Sequence, residues 1–395
     1  MKLYAVLALL AVNYFIIFQQ QAIAGDGYTF TSAENLKNPE YIEQIENVWN
    51  QRKTNYFQAS GRRLKETGQK CSGKNKDRQN LRECSLKIEY IGIEQADITN
   101  EKGAVVISTG RTESYLKYKE VAFDLWKNGY SVYIIDHRGQ GNSEREKNLD
   151  NLQKGHVGDF HLYVKDFYKF VSKVEEQKHK NLYLLAHSMG GAIAALYLEE
   201  YSRGMKHQPF TAVAFTSPMF QMRSTIWPII PNTITCIWAH NQTKHGKSEQ
   251  SVDENPQYVA KSFEENEYTN EPERYDILTK LYGNDSNSII RLGPPTWGWL
   301  SNACNAAEKT IKGASNIKIP VRLYQAGADS IIHPNGHTEF CKNLPVDNIN
   351  GRCGPENKAI IKVGAKHELL IEVDTIRSSL LTDMLNFFEA NSIKG

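Results

Sequence analysis

Six short apolar runs separated by amphipathic stripes constrain this chain more than any other feature. The runs lie at 104–108, 131–135, 182–186, 212–215, 321–324 and 359–363, are rich in Val, Ile and Tyr, and are bounded by turn residues. Runs this short, with no polar alternation, fit strands buried on both faces. Helical spacing fills the gaps. Tyr118, Val121, Ala122 and Leu125 recur at i, i+3, i+4 and i+7 and stop at Asn128-Gly129, a C-cap signal. Phe160, Val164, Phe167, Val171 and Val174 form a second stripe, and Ile376, Leu380, Met384 and Phe388 a third. Strand–helix–strand alternation predicts an α/β fold: a mostly parallel central sheet with helices on both faces. Core packing explains the aromatic stripes without a cofactor box.

At about 150 residues per domain, 395 residues would suggest two or three domains. The pattern divides them otherwise. Lys2 is the only charge before Asp26, an apolar run at 3–18 is broken only by Asn13, and Ala22-Ile23-Ala24 supplies a small-residue cleavage site. Residues 1–24 therefore read as a signal peptide, and the protein as secreted or periplasmic. An uncleaved anchor is the alternative, but the run is short for a span. Residues 25–86 form a polar N-terminal extension, with a short helix at 41–50 and a basic stretch at 61–82 that reads as solvated charge. The regular pattern occupies 87–218 and resumes at 302–395. Between them, 219–301 carries Trp227, Trp238, Trp297 and Trp299 among prolines, with a charged run at 244–276, and reads as an insertion.

With 47 Lys+Arg against 45 Asp+Glu, the chain lacks the basic excess of a nucleic-acid binder. Six cysteines can pair in an oxidising compartment, in any of fifteen ways. Cys71 with Cys84 and Cys341 with Cys353 are the near neighbours, which leaves Cys236 with Cys304. No C-x-x-C occurs and no His stands at ligand spacing from a Cys pair, so no metal site is expected.

Ala186-His187-Ser188-Met189-Gly190-Gly191 sits where a buried strand meets an Ala-rich helix. A serine on that sharp bend is a nucleophile elbow: small residues two before and two after it let the backbone crowd while the side chain projects. The Met189 N–H, at the helix start, is placed to donate to a developing oxyanion. Serine needs a base and an orienting acid, which in such folds follow in the order acid, then His, after late strands. Asp329 stands just past the 321–324 run and His367 just past the 359–363 run. Asp347 competes for the acid, and His333 and His337 for the base; the two His are worse placed, on the helix expected after Asp329. The second oxyanion donor is expected after the 104–108 run, where the backbone N–H of Arg111 follows Gly110. Asp136 to Ser143 contains G-x-G but lacks the third Gly of a dinucleotide loop, and reads as a scaffold turn. His137 and His156 are assigned structural hydrogen bonds.

These residues resemble a known family. From about Val105 to Phe388 the chain looks like the α/β-hydrolase superfamily, most similar to bacterial lysophospholipases and their monoacylglycerol-lipase relatives. The resemblance is carried by Gly110-Arg111-Thr112-Glu113-Ser114-Tyr115, the Asp136–Ser143 turn, Gly155-His156-Val157, the Ala186–Gly191 elbow, Leu292-Gly293-Pro294-Pro295-Thr296 and Gly364 to Glu368. Thr109 stands where many relatives have His, and the N-terminal extension falls outside the likeness. It implies Ser188 as nucleophile, Asp329 as orienting acid, His367 as base, Arg111 and Met189 as backbone oxyanion donors, and no cofactor. It also implies that 219–301 is a cap over an acyl pocket, touching a membrane surface transiently, with a long-chain lipid ester as substrate. A serine peptidase or small-ester esterase on the same residues is the alternative, as is a secreted recognition protein without catalysis.

Overall fold

The computed structural model describes residues 27–59, 86–145, 151–200, 208–223, 232–345 and 352–393. Expectations placed on 1–24, the basic stretch, Cys71, Cys84, Trp227 and Asp347 lie outside them. The chain divides into two compact units, Met1–Phe30 and Thr31–Gly395. Of the first, residues 27–30 are described and hold neither helix nor strand. The described helices and strands all belong to the second unit.

In chain order the elements of that unit are α1 (Pro39–Trp49), β1 (Lys53–Gln58), β2 (Lys87–Ile93), β3 (Gly103–Ser108), α2 (Lys119–Lys127), β4 (Tyr130–Ile135), α3 (His161–Glu175), β5 (Leu182–His187), α4 (Met189–Glu200) and β6 (Phe210–Thr216). Then come α5 (Asn232–Lys244), α6 (Pro272–Gly283), α7 (Trp297–Gly313), β7 (Val321–Ala326), α8 (Pro334–Asn343), β8 (Arg352–Cys353), β9 (Ile360–Lys362) and α9 (Asp374–Ala390). The nine described strands form one sheet in the order β1-β2-β4-β3-β5-β6-β7-β8, with β9 also on β7. From β4 to β9 every pairing is parallel, whereas β1–β2 and β2–β4 are antiparallel.

Every residue of β3, β4 and β5 is buried, which is why those strands read as unbroken apolar runs. The 359–363 run is different. It was expected to be a buried strand, but β9 has only three residues, and Ile361 and Val363 are 56% and 84% exposed. It hangs on β7 alone among the described strands, so its outer side meets no neighbour. The polar extension contributes β1, whose only buried residue is Phe57, and which hydrogen-bonds to β2 over its whole length.

Among the described residues, the α-helices α5, α6 and α7 stand between β6 and β7. The Trp-rich stretch does not end at 301: α7 runs on to Gly313, burying Ala303, Ala306 and Ala307. A disulfide between Cys236 and Cys304 ties α5 to α7, and Cys341–Cys353 ties α8 to β8. Among the described residues no helix is long and apolar enough to cross a membrane.

Register decides where chemistry can sit. Ser108 pairs with Ala186, His187 with Thr216, Thr216 with Tyr324 and Ala326 with Lys362, so the carboxyl ends of β3, β5, β6, β7 and β9 lie side by side. Loops leaving that edge converge on one crevice.

Candidate active site

Ser188 is the single residue between β5 and α4, and its φ of +50° is the left-handed conformation that a sharp strand-to-helix turn forces on a non-glycine residue. The bend admits no bulk. A Cβ on Gly190 would come within 2.2 Å of the Ser108 carbonyl oxygen, and one on Gly191 within 2.6 Å of Pro218. The turn is pinned by Ser188 N–H to Thr216 O (3.1 Å) and by Gly191 and Met219 N–H to Ser188 O (2.9 and 2.8 Å). Met189 opens α4, so its N–H has no carbonyl of its own helix to bond.

The loops after β7 and β9 stay zipped beyond the strands, through Gly327 N–H to Lys362 O (2.9 Å) and Ala328 N–H to Ala365 O (2.8 Å). That zipper brings Asp329 and His367 together. His367 Nδ1 is 2.8 Å from Asp329 Oδ2, and His367 Nε2 is 2.9 Å from Ser188 Oγ. Asp329 Oδ1 accepts the N–H groups of Ile331 (2.8 Å) and Ile332 (2.9 Å). Burial would raise the Asp329 carboxyl, but His367 and those two donors outweigh it and hold it below the usual aspartate value. It is therefore a carboxylate at neutral pH.

Arg111 follows β3. Its turn is held by Gly110 N–H to Glu113 Oε2 (2.5 Å), Gln140 Nε2 to Gly110 O (2.6 Å) and Tyr282 O–H to Thr112 O (3.0 Å). Thr112 has φ +66°. The competing residues have other partners. His333 caps α8, and buried His337 spends both ring nitrogens on Gln325 and the Pro218 carbonyl. Burial pulls His337 down to about 4, so it is neutral. His137 bonds Ser108 Oγ (3.0 Å) and His156 bonds Thr296 Oγ1 (2.9 Å). In the 136–143 turn, Asp136 accepts from Tyr115 N–H, Ser114 O–H and Asn142 N–H. It is a scaffold of one carboxylate, not a phosphate loop.

Sequence reasoning assigned no role to a buried ionic cluster beside these residues. Lys117 bonds both Glu113 and Glu368, and the three side chains are 4–8% exposed. His187 Nε2 lies 3.0 Å from Glu368 Oε2 and 3.6 Å from Glu113 Oε1, at ion-pair distance but out of line for a hydrogen bond. His187 Nδ1 faces Thr216 O at 3.0 Å, and its ring is 5.0 Å from that of His367. Burial opposes the charges of Glu368, His187 and Lys117, yet the pairing wins: His187 and Lys117 drive Glu368 well down, while Glu368 and Glu113 raise both His187 and Lys117. The cluster joins the Arg111 turn, the elbow and the His367 loop. Two signals for it were in the sequence: the i, i+4 spacing of Glu113 and Lys117, and the adjacency of His187 to Ser188 and of Glu368 to His367.

His187, His367 and Glu368 offer ligand atoms within 4.8 Å of one another, the closest approach to a metal trio among the described residues. Each is already engaged, by Thr216, by Asp329 and Ser188, and by Lys117, respectively. The trio reads as part of the polar network.

Comparison with known proteins agrees with this architecture. Residues 99–374 match the family described as serine aminopeptidase, S33. The chain is 33% identical to lysophospholipase L2 of Escherichia coli K12 over 291 residues, 73% of this chain and 81% of that protein. It is 29% identical to the probable lysophospholipase L2 of Haemophilus influenzae, over 78% of this chain and 90% of the other. In fold it is similar to a soluble variant of the Saccharomyces cerevisiae monoglyceride lipase, with a TM-score of 0.60 at 20% identity, covering 78% of this chain and 93% of that one. A mostly parallel sheet, a serine on the β5–α4 bend and a family match over most of the chain lead to one assignment: this protein belongs to the α/β-hydrolase superfamily, in the S33 family of serine hydrolases.

Proposed function

We propose that this chain, a carboxylic ester hydrolase by kinship with lysophospholipases and monoglyceride lipases, cleaves the ester of single-acyl lipids through an acyl-enzyme on Ser188. The observation that carries the reading is the chain of hydrogen bonds from Asp329 through His367 to Ser188 Oγ, at 2.8 and 2.9 Å. In this reading His367 Nε2 takes the serine proton as Oγ attacks the ester carbonyl, and the N–H groups of Arg111 and Met189 hold the oxyanion. The imidazolium returns its proton to the departing alcohol, and water repeats the cycle on the acyl-serine. Asp329 fixes the tautomer and stabilises the imidazolium without taking its proton.

The segment between β6 and β7 acts as the cap. Its Gly293 and Trp299 reach the Arg111 side chain next to the elbow, which supports a lid directly over Ser188. On α5, Ile234, Ile237 and Trp238 are 52%, 64% and 44% exposed at i, i+3, i+4 spacing, an apolar stripe suited to brief contact with a lipid surface. Export to an oxidising compartment is supported by the two disulfides and by the character of residues 1–24.

The test is turnover of long-chain lysophosphatidylcholine and monoacylglycerol, with Ser188→Ala as comparison. The expected loss is roughly 10⁴-fold or more in kcat, together with loss of fluorophosphonate labelling. A Ser188→Ala protein that keeps its activity would end the reading. The S33 family description favours one rival, peptide-bond cleavage. An aminoacyl arylamide turned over faster than the lipid esters would establish it.

A further inference from the structure

Arg111, which is half-buried, differs from the buried arginines in what its side chain touches. Arg138 holds Asp166 with two nitrogens at 2.6 and 2.8 Å, Arg274 holds Glu120 and Asp374, and Arg377 holds Asp124. Arg145 has no carboxylate in contact but spends Nε, Nη1 and Nη2 on four backbone carbonyls. The Arg111 side chain makes a single hydrogen bond among the described residues, Nη2 to Gly293 O at 2.8 Å, while its Nε is sealed from solvent with no partner there. Among the described residues it has no ion pair. Its guanidinium carbon lies 4.9 Å from the centroid of the Trp299 ring, and Nη2 occupies space that a Cβ on Gly155 would need, 2.6 Å away.

A half-buried guanidinium whose Nε is sealed without a partner carries a desolvation cost that an anion beside it would reduce. Burial pulls its pKa down to about 10, which still leaves it a cation at neutral pH. The residue is also the one whose backbone N–H is assigned to the oxyanion, so its side chain starts beside the scissile ester. In a lysophospholipid only the glycerol carbons separate that ester from the phosphate. In a monoacylglycerol the same place holds a hydroxyl.

Building on the lipid-esterase reading above, we propose that the Arg111 guanidinium is the specificity-determining group that receives a substrate phosphate, making phosphorylated single-acyl glycerols the preferred substrates over neutral ones. The fork geometry of guanidinium suits two phosphate oxygens at once, and the Trp299 face keeps the fork flat and oriented. Arg111 positions the head group; the proton and acyl transfers stay with Ser188 and His367.

The experiment compares kcat/KM for a short-chain 1-acyl-glycerol 3-phosphate and for the 1-monoacylglycerol with the same chain, both below their micelle concentrations. Wild type, Arg111→Gln and Arg111→Lys are measured side by side. The ratio of phosphorylated to neutral substrate falls by about tenfold or more in Arg111→Gln, and less in Arg111→Lys, which keeps the charge without the fork. In the wild type, glycerol 3-phosphate competes with the neutral ester more strongly than glycerol does. An unchanged ratio in Arg111→Gln, or a wild type that glycerol 3-phosphate inhibits no better than glycerol, overturns the proposal. The second arm needs no variant, so misfolding of Arg111→Gln does not shield it. Failure of the underlying reading looks different: the wild type then turns over neither lipid.

Discussion

Two buried ionic clusters in this molecule are built from similar parts and do different work. The one beside the elbow sets Glu113 and Glu368 against Lys117 and His187. The other sets Glu120, Asp124 and, at its rim, Asp374 against Arg274 and Arg377. It ties four parts of the fold: the start of the second unit through Thr31, whose N–H and O–H both bond Asp124; α2; α6 between β6 and β7; and α9. Both contain charges that would be ruinous alone, and both are closed by mutual pairing. What differs is the attachment. The second joins whole helices, whereas the first joins the three loops on which Arg111, Ser188 and His367 stand. Breaking one should loosen the fold, and breaking the other should misplace the chemistry.

The largest effect is expected at the helix-joining cluster. Arg377 is fully buried, with Nη1 2.7 Å from Asp124 and Nε 2.8 Å from the Leu370 carbonyl. Arg377→Met removes the cation and leaves Asp124 to its Thr31 donors. It should cost about 3–5 kcal/mol of stability, read by urea unfolding, with no solvent screening to soften it. On molecules that remain folded, kcat should stay within about twofold of wild type. A large fall in kcat would break the comparison, because this cluster would then reach the reacting groups after all.

Glu368→Gln probes the other side. It leaves Lys117 and His187 facing one carboxylate, Glu113, and removes the stronger of the two groups that raise His187, whose ring is 5.0 Å from His367. The loop carrying His367 also loses its ionic tether to the Arg111 turn. A drop in kcat of about tenfold to a hundredfold is expected on folded protein, because small displacements of positioned groups are costly. Stability falls too, so the discriminating readout is kcat per folded molecule. Wild-type kcat in Glu368→Gln would reduce this cluster to the same structural role as its counterpart.

The difference in kind between the clusters also explains what could be read from the chain. Strands β3, β4 and β5 were legible because burial on both faces leaves them mostly apolar residues. Ser188, Asp329 and His367 were legible as positions, since each stands just past a strand end with a telling neighbour. β1 was not, because five of its six residues are exposed and its pairing with β2 is a backbone property. The clusters were hidden for a further reason. Arg274 and Arg377 look like ordinary charged helix residues, and only contacts 243 and 253 positions apart, to Thr31 and Asp124, show them buried. Lys117 and Glu368 are 251 positions apart. Hydrophobic periodicity reports which face of an element is inside; it says nothing of which charges meet there.

The smallest effect separates the clusters by pH. Glu368, Glu113, Lys117 and the His367 ring surround His187, and the two carboxylates raise its pKa against the pull of burial and of Lys117. A histidine whose folded value is raised contributes stability that is full below its unfolded value near 6.5 and is lost as pH climbs through the folded value. Glu368, driven down, contributes stability that is full above its unfolded value near 4.5 and is lost as pH falls toward the folded one. The elbow cluster is thus strongest between about pH 4.5 and 6.5 and weakens on the alkaline side. In the helix-joining cluster Glu120 and Asp374 raise Arg274 still higher against the pull of burial. Glu120, raised by burial against Arg377 and Arg274, loses its contribution as pH climbs through its folded value, and that part of the slope is untouched by a change at His187. Unfolding free energy measured from pH 6.5 to 9 should decline in the wild type by up to about 1.4 kcal/mol per pH unit within the His187 window. In His187→Gln that decline should flatten, while Arg377→Met should keep the wild-type slope on a lower baseline. Equal slopes in wild type and His187→Gln would mean that the imidazole is not charged in the folded protein, and the elbow cluster would then carry net negative charge against the loop that holds His367.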